Sequence, residues 1–155
     1  MDRVYRHYGS SVFNISKFEP VGNAFGITFM NKPHGGLWAS PVDSHNNWHD
    51  WCLSESFNTK SLDEYFDFTL KHSSKVLSIN TISDLNKITD HIEITYDFGI
   101  KVRVDFESLV RAGCDAVYVE YNYGTSQAFY GWDVDTLLVL NPDCIKVIES
   151  VIVDN

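Results

Sequence analysis

The sequence predicts an α+β fold in a single domain. Short strand patterns follow one another along the chain and are separated by turns rich in Gly, Pro and Asn. Two or three other segments carry the start and stop signals of helices. A chain of 155 residues with 44% hydrophobic content can bury a core without disulfides or metals. These observations predict many short strands, two or three helices and one core.

Eight segments have the pattern of β-strands. Some alternate large apolar with small or polar residues, and the segment 136–140 is almost entirely apolar. Turn formers bound them, for example in the runs 31–36 and 141–143. The predicted strands cover residues 4–8, 24–29, 37–39, 65–70, 75–79, 116–119, 136–140 and 145–153.

The clearest predicted helix covers residues 105–113. Asp105 is the expected N-cap, Glu107 lies in the first turn, Arg111 in the last turn, and Gly113 marks the end. Acids at the start and a base at the end complement the helix dipole, and glycine accommodates the left-handed backbone that commonly ends a helix. Both boundaries of this helix therefore follow from local signals.

Two further helices are predicted. The first carries aromatic residues on one face and starts at Ser44 as N-cap, because polar and aromatic residues recur after it at helical spacing. The second is short and covers residues 83–88, with Ser83 near its N-terminus. The residues at helical spacing in the first are Trp48, Trp51, Cys52 and Glu55.

Charge and cysteine content exclude several classes of protein. The formal net charge of −9, from 12 Lys+Arg and 21 Asp+Glu, opposes non-specific attraction to nucleic acid. The three cysteines are odd in number and far apart, which predicts free thiols and a cytoplasmic location. No run approaches the ~18 apolar residues that span a bilayer, and the N-terminus lacks the apolar segment of a secretion signal. We therefore expect no membrane partner.

No metal site is predicted. His45, His49 and Cys52 have helix-compatible spacing, but a zinc site needs a closing ligand pair and the sequence has no second Cys/His cluster. A thiol nucleophile at Cys52 with His49 as its base is disfavoured as well, because this spacing seldom gives an oriented triad.

Four short pieces of the chain, in order, resemble a known family. They are the run Arg-His-Tyr-Gly-Ser at 6–10, the run Gly-Leu-Trp-Ala-Ser at 36–40, the aromatic helix with Trp51 and Cys52, and an acidic strand start at 133–135. This order resembles the ADP-ribosyltransferase superfamily, whose members have a His-Gly or Arg-Gly strand, a glycine-led aromatic strand, a helix ending near Tyr-Cys, and a late Glu. The run 109–117 also resembles a segment that precedes the last motif in bacterial and phage relatives.

The resemblance implies a split, twisted β-sandwich that holds NAD in the cleft between its sheets. It implies that His7 hydrogen-bonds a ribose of NAD, that the backbone of Gly9 faces the nicotinamide amide, and that two indoles enclose the nicotinamide ring. NAD is the implied substrate or ligand, without a metal. The implied NAD-binding residues are His7, Gly9, Gly36, Leu37, Trp38, Ser40 and Trp51.

The catalytic acid is the point at which the sequence departs from the family. Thr136 stands where the family has its Glu, and Asp133 and Asp135 flank it. The chemistry needs a carboxylate, because positive charge develops on the ribose as nicotinamide leaves. The implied catalytic residues are therefore Asp135, Asp133 and His7, and a one-residue shift or a bulge would bring Asp135 onto the face of the cleft.

The leading functional hypothesis is ADP-ribosyl transfer, and two alternatives stand beside it. With an acid in the cleft, the protein transfers ADP-ribose from NAD to an unidentified acceptor. Without one, it is a catalytically silent binder that sequesters or responds to NAD or an ADP-ribose-derived signalling nucleotide. The other alternative is an interaction module that keeps only the fold. The loop 120–131, rich in Tyr, Asn, Gly and Ser, is the candidate contact for a protein acceptor, unless its rings contact the adenosine or only cover the sandwich.

Overall fold

The computed structural model describes residues 2–24, 31–95 and 101–148, and this part of the chain is mixed α+β, as predicted. Its two α-helices are α1 (Trp48–Glu55) and α2 (Phe106–Arg111). Its strands are β1 (Tyr5–Tyr8), β2 (Leu37–Pro41), β3 (Tyr65–Leu70), β4 (Val76–Ile79), β5 (Ile92–Thr95), β6 (Lys101–Val104), β7 (Ala116–Val119), β8 (Thr136–Val139) and β9 (Ile145–Val147). Single turns of 3₁₀-helix and one longer 3₁₀ segment connect them, at Ile15–Lys17, Thr59–Asp63, Ile82–His91, Thr125–Gln127 and Pro142–Cys144.

Seven of these strands form one curled sheet. Their order is β4-β7-β8-β2-β1-β3-β9, and β5 pairs with β6 in a separate ribbon. All pairs in the sheet are antiparallel except β4 with β7. The specific split-sandwich topology that the family resemblance implies stays a prediction.

Each face of the seven-stranded sheet carries its own hydrophobic cluster. Successive side chains of a strand point to opposite faces, so Leu138 of β8 packs in one cluster while Leu137 and Val139 pack in the other. In β7 the same alternation separates Val117 from Tyr118. The expectation of one core is therefore wrong, because nearly every residue of the central strands is apolar and both faces need a cover.

Strand β2 joins the two halves of the sheet, and it separates from its neighbour β1 after two residue pairs. Its N-terminal residues pair with β8, whereas β1 pairs only through Tyr5↔Pro41 and Arg6↔Ser40. If that register continued, Tyr8 would oppose Trp38, but the ladder stops before that pair. Strand β1 instead stays paired with β3 along its full length. The result is a split between the C-terminal end of β1 and the N-terminal end of β2.

Most predicted strands are confirmed within one or two residues, and the rest differ in informative ways. The predicted strand 145–153 ends at Val147 in the structure, and residues 149–155 lie outside the described residues. Of the predicted strand 24–29, residues 25–29 lie outside them as well. The ribbon of β5 and β6 was not predicted.

The start of the first predicted helix is wrong, and the starts of the other two are confirmed within one residue. Asn47, not Ser44, is the N-cap of α1, and its side-chain oxygen accepts a hydrogen bond from the Asp50 N–H at 2.9 Å. The segment predicted to start near Ser83 is a 3₁₀ segment with Thr81 as its N-cap. Asp105 caps α2 as predicted, with its carboxylate 3.0 Å from the Ser108 N–H. Several residues in these loops are capable caps, so the three-dimensional course of the chain selects among them.

Within residues 2–24, 31–95 and 101–148, the helices are all too short or too polar to cross a bilayer. All three cysteines are free thiols.

Candidate functional site

A cavity of about 340 Å³ lies at the split between β1 and β2. This volume is within the range of small-molecule sites. The two strands supply its floor through Arg6, Tyr8 and Ser40, and the chain around 132–136 supplies one wall. The opposite wall comes from the start of α1 and from the 3₁₀ turn after it, through Trp48, Asn58 and Ser61.

Aromatic rings dominate this cavity. Tyr8, Trp38, Trp48 and Trp132 all line it. The Trp38 ring packs edge-on against Trp132 with 4.9 Å between ring centroids, and its Nε1 donates to the Gly35 carbonyl at 3.2 Å. The predicted pair of indoles on α1 is confirmed as a stack of Trp48 on Trp51 at 5.1 Å, but within this pair only Trp48 lines the cavity. Trp51 therefore acts on the cavity through Trp48.

Trp132 is a wall residue that the sequence patterns did not single out. It is only 3% exposed, and its Nε1 donates to the Asn31 carbonyl at 2.6 Å. The Asn31 side chain is itself buried and spans three neighbours: it donates to the Val102 and Ala128 carbonyls and accepts from the Val104 N–H. An Asn in a turn-rich run usually indicates a turn, so no local signal marks it as the residue that fixes this wall.

His7 lies at the split itself and replaces the missing backbone pairing. Its Nδ1 is 2.7 Å from the Trp38 carbonyl oxygen. A carbonyl only accepts, so Nδ1 carries the proton and Nε2 has a free lone pair in the neutral ring. Burial lowers the pKa of His7, and the bond to the carbonyl opposes this only in part. Nε2 has no hydrogen-bond partner within the described residues, so it is available to accept from a bound group.

Two cations line the cavity, and they differ in how they are held. The Arg6 guanidinium makes two hydrogen bonds to the Asp67 carboxylate, at 2.7 and 3.0 Å, and lies 4.0 Å over the Tyr65 ring. This carboxylate raises the pKa of Arg6. Lys32 makes one long bond, 3.3 Å from Nζ to the Gly131 carbonyl, and its Nζ is 5.9 Å from the centre of the Trp38 ring. Among the described residues that line this cavity, none is an Asp or Glu.

The two predicted acids lie elsewhere. The Asp135 carboxylate accepts hydrogen bonds from the Ser44 hydroxyl at 2.6 Å and from the Tyr121 N–H at 2.8 Å, and it lines a separate polar cavity of about 420 Å³. Asp133 lines neither cavity and has a left-handed backbone, with φ of 70°. Val134 lies between them and Thr136 follows them, and both of these residues face the aromatic cavity. The structure therefore brings His7, Gly9, Trp38 and Ser40 together and leaves both carboxylates outside.

Gly36 and Leu37 line a smaller neighbouring cavity of about 190 Å³, on the other side of the His7 ring. A Cβ at Gly36 would lie 2.6 Å from a Leu138 methyl and 2.8 Å from a Val21 methyl, and φ at this glycine is +71°. The protein packs against Gly36 itself, so this glycine serves the close approach of its own chain segments. At Gly9 the corresponding space is open, although its N–H already donates to the Glu64 carbonyl at 2.8 Å.

The loop 120–131 divides into an inner and an outer half. Thr125 and Phe129 are buried, and the Thr125 hydroxyl donates to the Glu120 carbonyl at 2.7 Å. Tyr123 and Tyr130 point outward and are 89% and 66% exposed. Part of the loop thus covers the core, and its two exposed rings stay the candidate contact for a protein partner.

The described residues contain no group of three or more His, Cys, Asp or Glu side chains with the geometry of a metal site. Cys52, which was considered as a metal ligand and as a nucleophile because of its spacing from His45 and His49, is fully buried. Comparison of the chain with protein-family models, with curated proteins and with solved structures finds no match. The fold and the cavity therefore define the protein only as an α+β domain with an aromatic cavity at a split in its sheet.

Proposed function

We propose that the protein binds a nucleotide, NAD or an ADP-ribose-derived molecule, in the aromatic cavity and does not turn it over. One observation carries the proposal: a cavity at the strand split gathers an imidazole, three indoles and a lysine, and no carboxylate from the described residues lines it. Of the functions considered from the sequence, this is the catalytically silent binder.

The groups around the cavity match the parts of a nucleotide. Indole and phenol rings offer flat surfaces for a heterocycle. The free Nε2 of His7 accepts from a ribose hydroxyl or an amide N–H. Lys32 supplies positive charge for a phosphate. These groups come from four separate parts of the chain and converge on one concave surface, which is typical of a binding site.

Backbone strain near the cavity supports the same location. Within the described chain, the non-glycine residues with positive φ are Ser56, Asn58 and Asp133. Asn58 lines the cavity, and Asp133 lies between the lining residues Trp132 and Val134. Residues in such sparsely populated conformations tend to cluster at ligand sites.

The lack of a lining carboxylate argues against efficient transfer. Departure of nicotinamide leaves positive charge on the ribose, and an enzyme stabilises that charge with a fixed negative group. The Asp135 carboxylate is occupied by Ser44 and Tyr121 and lines the other cavity. We therefore place ADP-ribosyl transfer second and treat it as an outcome of the test.

The test measures the thermal midpoint of the protein with NAD, ADP-ribose and cyclic ADP-ribose, and in parallel measures nicotinamide release from NAD. A ligand at about 100 times its Kd stabilises the native state by about 2.7 kcal/mol. We expect a rise with at least one nucleotide and no release of nicotinamide. Nicotinamide release that the Asp135→Ala substitution abolishes would establish the transferase instead. If no nucleotide changes the thermal midpoint and no nicotinamide is released, both functions are overturned.

Two finer expectations belong to the same proposal. We propose a cytoplasmic location, because the protein has three free thiols and no disulfide. We also propose that Tyr123 and Tyr130 of the loop 120–131 contact a protein partner, because exposed tyrosines offer contact area at low entropic cost. The test replaces both tyrosines with Ser. The expected result is a variant that still binds the nucleotide and has lost the protein partner.

A further inference from the structure

The two cations of the aromatic cavity are not equivalent. Arg6 and Lys32 both line it, but only Arg6 has a carboxylate partner among the described residues. The pair of bonds to Asp67 uses the Nε and one Nη of Arg6, and the Tyr65 ring covers a face of the guanidinium. A guanidinium held in this way contributes little net charge to the cavity, because the carboxylate compensates it at hydrogen-bond distance.

Lys32 is held much more weakly. Among the described residues, its Nζ makes a single bond of 3.3 Å to a neutral carbonyl, that of Gly131. An ammonium has three donors, so two remain for another group. The Nζ also lies 5.9 Å from the centre of the Trp38 ring, so a group packed beside this ring is within reach of the flexible lysine side chain.

The Lys32 ammonium contrasts with the negative charge of the chain as a whole. The formal net charge is −9, so most of the surface repels an anion. A cavity with an uncompensated ammonium and no lining carboxylate from the described residues is a local exception. Lys32 is exposed to solvent, so an anionic ligand can reach its ammonium and would be stabilised by it, whereas a neutral ligand would gain little.

We propose that Lys32 selects the ligand by pairing with an anionic group, a phosphate, on the molecule that binds the aromatic cavity. The inference rests on the proposed function and deepens it: the cavity distinguishes a nucleotide from the corresponding nucleoside. The rings recognise the heterocycle in both, and Lys32 recognises only the phosphorylated form. Arg6 does not substitute for it, because Asp67 already occupies the guanidinium.

The experiment removes the phosphate from the ligand and the charge from Lys32, separately and together, and compares the effects on affinity. Dissociation constants are measured by calorimetry for two pairs of compounds, adenosine with AMP and nicotinamide riboside with nicotinamide mononucleotide, and for NAD. The proteins are the wild type, Lys32→Gln, Lys32→Arg and, as matched control, Lys17→Gln, whose lysine lines the neighbouring cavity instead. Gln keeps a donor for the Gly131 carbonyl, and the thermal midpoint of each variant without ligand reports its folding.

We expect the phosphate to improve affinity about tenfold or more in the wild type and in Lys17→Gln, and less than about threefold in Lys32→Gln, with recovery in Lys32→Arg. If Lys32→Gln keeps the wild-type preference for the phosphorylated compound, the lysine has no such role and only this inference fails. If nucleoside and nucleotide bind the wild type equally, the inference fails in the same way. If no compound binds any variant, the proposed function itself is overturned.

Discussion

Two concave regions lie on either side of the residue run 133–136, and they use polar groups in opposite ways. In the polar cavity, Asp135 is bonded to Ser44 and Tyr121, and Arg3 is paired with Asp43 at 3.1 Å. In the aromatic cavity, the Nε2 of His7 has no hydrogen-bond partner within the described residues, and Lys32 has one long bond to a neutral carbonyl there. In the polar cavity, the bonds named above hold separate parts of the chain together. In the aromatic cavity, polar groups stay available to a ligand, and this availability, rather than the presence of acids, supports the proposed binding site.

Alternation of side chains explains why neighbouring residues serve different regions. Val134 and Thr136 face the aromatic cavity, and Asp135 between them faces the polar one. A one-residue shift would exchange the two sets. The pairing of β8 with β2, with Leu137 opposite Ala39, fixes the register that is observed.

The largest effect is expected for Trp38→Leu in the aromatic cavity. Loss of the ring removes the edge contact to Trp132 and part of the ligand surface, so we expect unfolding free energy to fall by about 2–3 kcal/mol and nucleotide affinity to fall more than about tenfold. Chemical denaturation and calorimetry measure the two effects. Trp51→Leu is the matched control, and we expect it to weaken binding no more than about threefold. Equal losses in both variants would show that the cavity is not where the ligand binds.

The next effect, on the polar region, concerns Asp135→Ala. This change leaves the Ser44 hydroxyl and the Tyr121 N–H without their acceptor, so we expect a loss of about 2 kcal/mol in unfolding free energy and little change in nucleotide affinity. Asp133→Asn is the control, because Asn tolerates the left-handed backbone. A stable Asp135→Ala variant that has lost nucleotide binding would place this acid in the site after all.

A smaller effect follows from Asp67→Asn, which tests whether the Asp67 carboxylate neutralises the positive charge of Arg6. Breaking this partly buried pair is expected to lower unfolding free energy by about 1 kcal/mol. The released guanidinium adds positive charge to the aromatic cavity, so the affinity for a phosphorylated nucleotide should rise about threefold while that for the nucleoside stays unchanged. Unchanged affinity for both would mean that Arg6 contributes nothing to the electrostatics of the cavity.

The smallest effect is the pH dependence that His7 contributes. Burial lowers the pKa of His7 in the folded state below its unfolded value of about 6.5. The unfolded chain therefore binds more protons in the window below 6.5, and stability falls as the pH drops through it toward the folded pKa. His7→Asn keeps a donor for the Trp38 carbonyl but does not titrate, so its stability should fall less between pH 7 and pH 5. If unfolding free energy fell equally with pH in wild type and variant across this range, the result would contradict the lowered pKa of His7.

The sequence anticipated the secondary structure better than the site. Local signals were sufficient for α2, where Asp105 and Gly113 mark the ends, and for the buried strands β7 and β8. They were insufficient for α1, because Ser44 and Asn47 are both capable caps and Ser44 is used by Asp135 instead. A cap competes with tertiary partners for the same side chain, and a sequence pattern contains no information on those partners.

The predicted site is divided for the same reason. His7 and Trp38 were selected from separate motifs, and the structure joins them by a hydrogen bond across 31 positions. Trp132 and Lys32 were missed, because the runs that contain them have no periodicity and their places in the wall depend on Asn31 and on the Gly131 carbonyl. Asp133 and Asp135 lie outside the aromatic cavity, and residue type alone does not give the face of the sheet on which an acid lies.

By itself, the sequence determined six strands of the large sheet, helix α2 and which side chains alternate, because these follow from periodicity and from short-range hydrogen bonds. Only the tertiary structure decided that β1 and β2 separate after Arg6 and that the resulting cavity receives rings and a lysine but no carboxylate from the described residues. The physical reason is that both outcomes depend on strand register and on long-range hydrogen bonds, which bring together residues that carry no mutual signal in the chain.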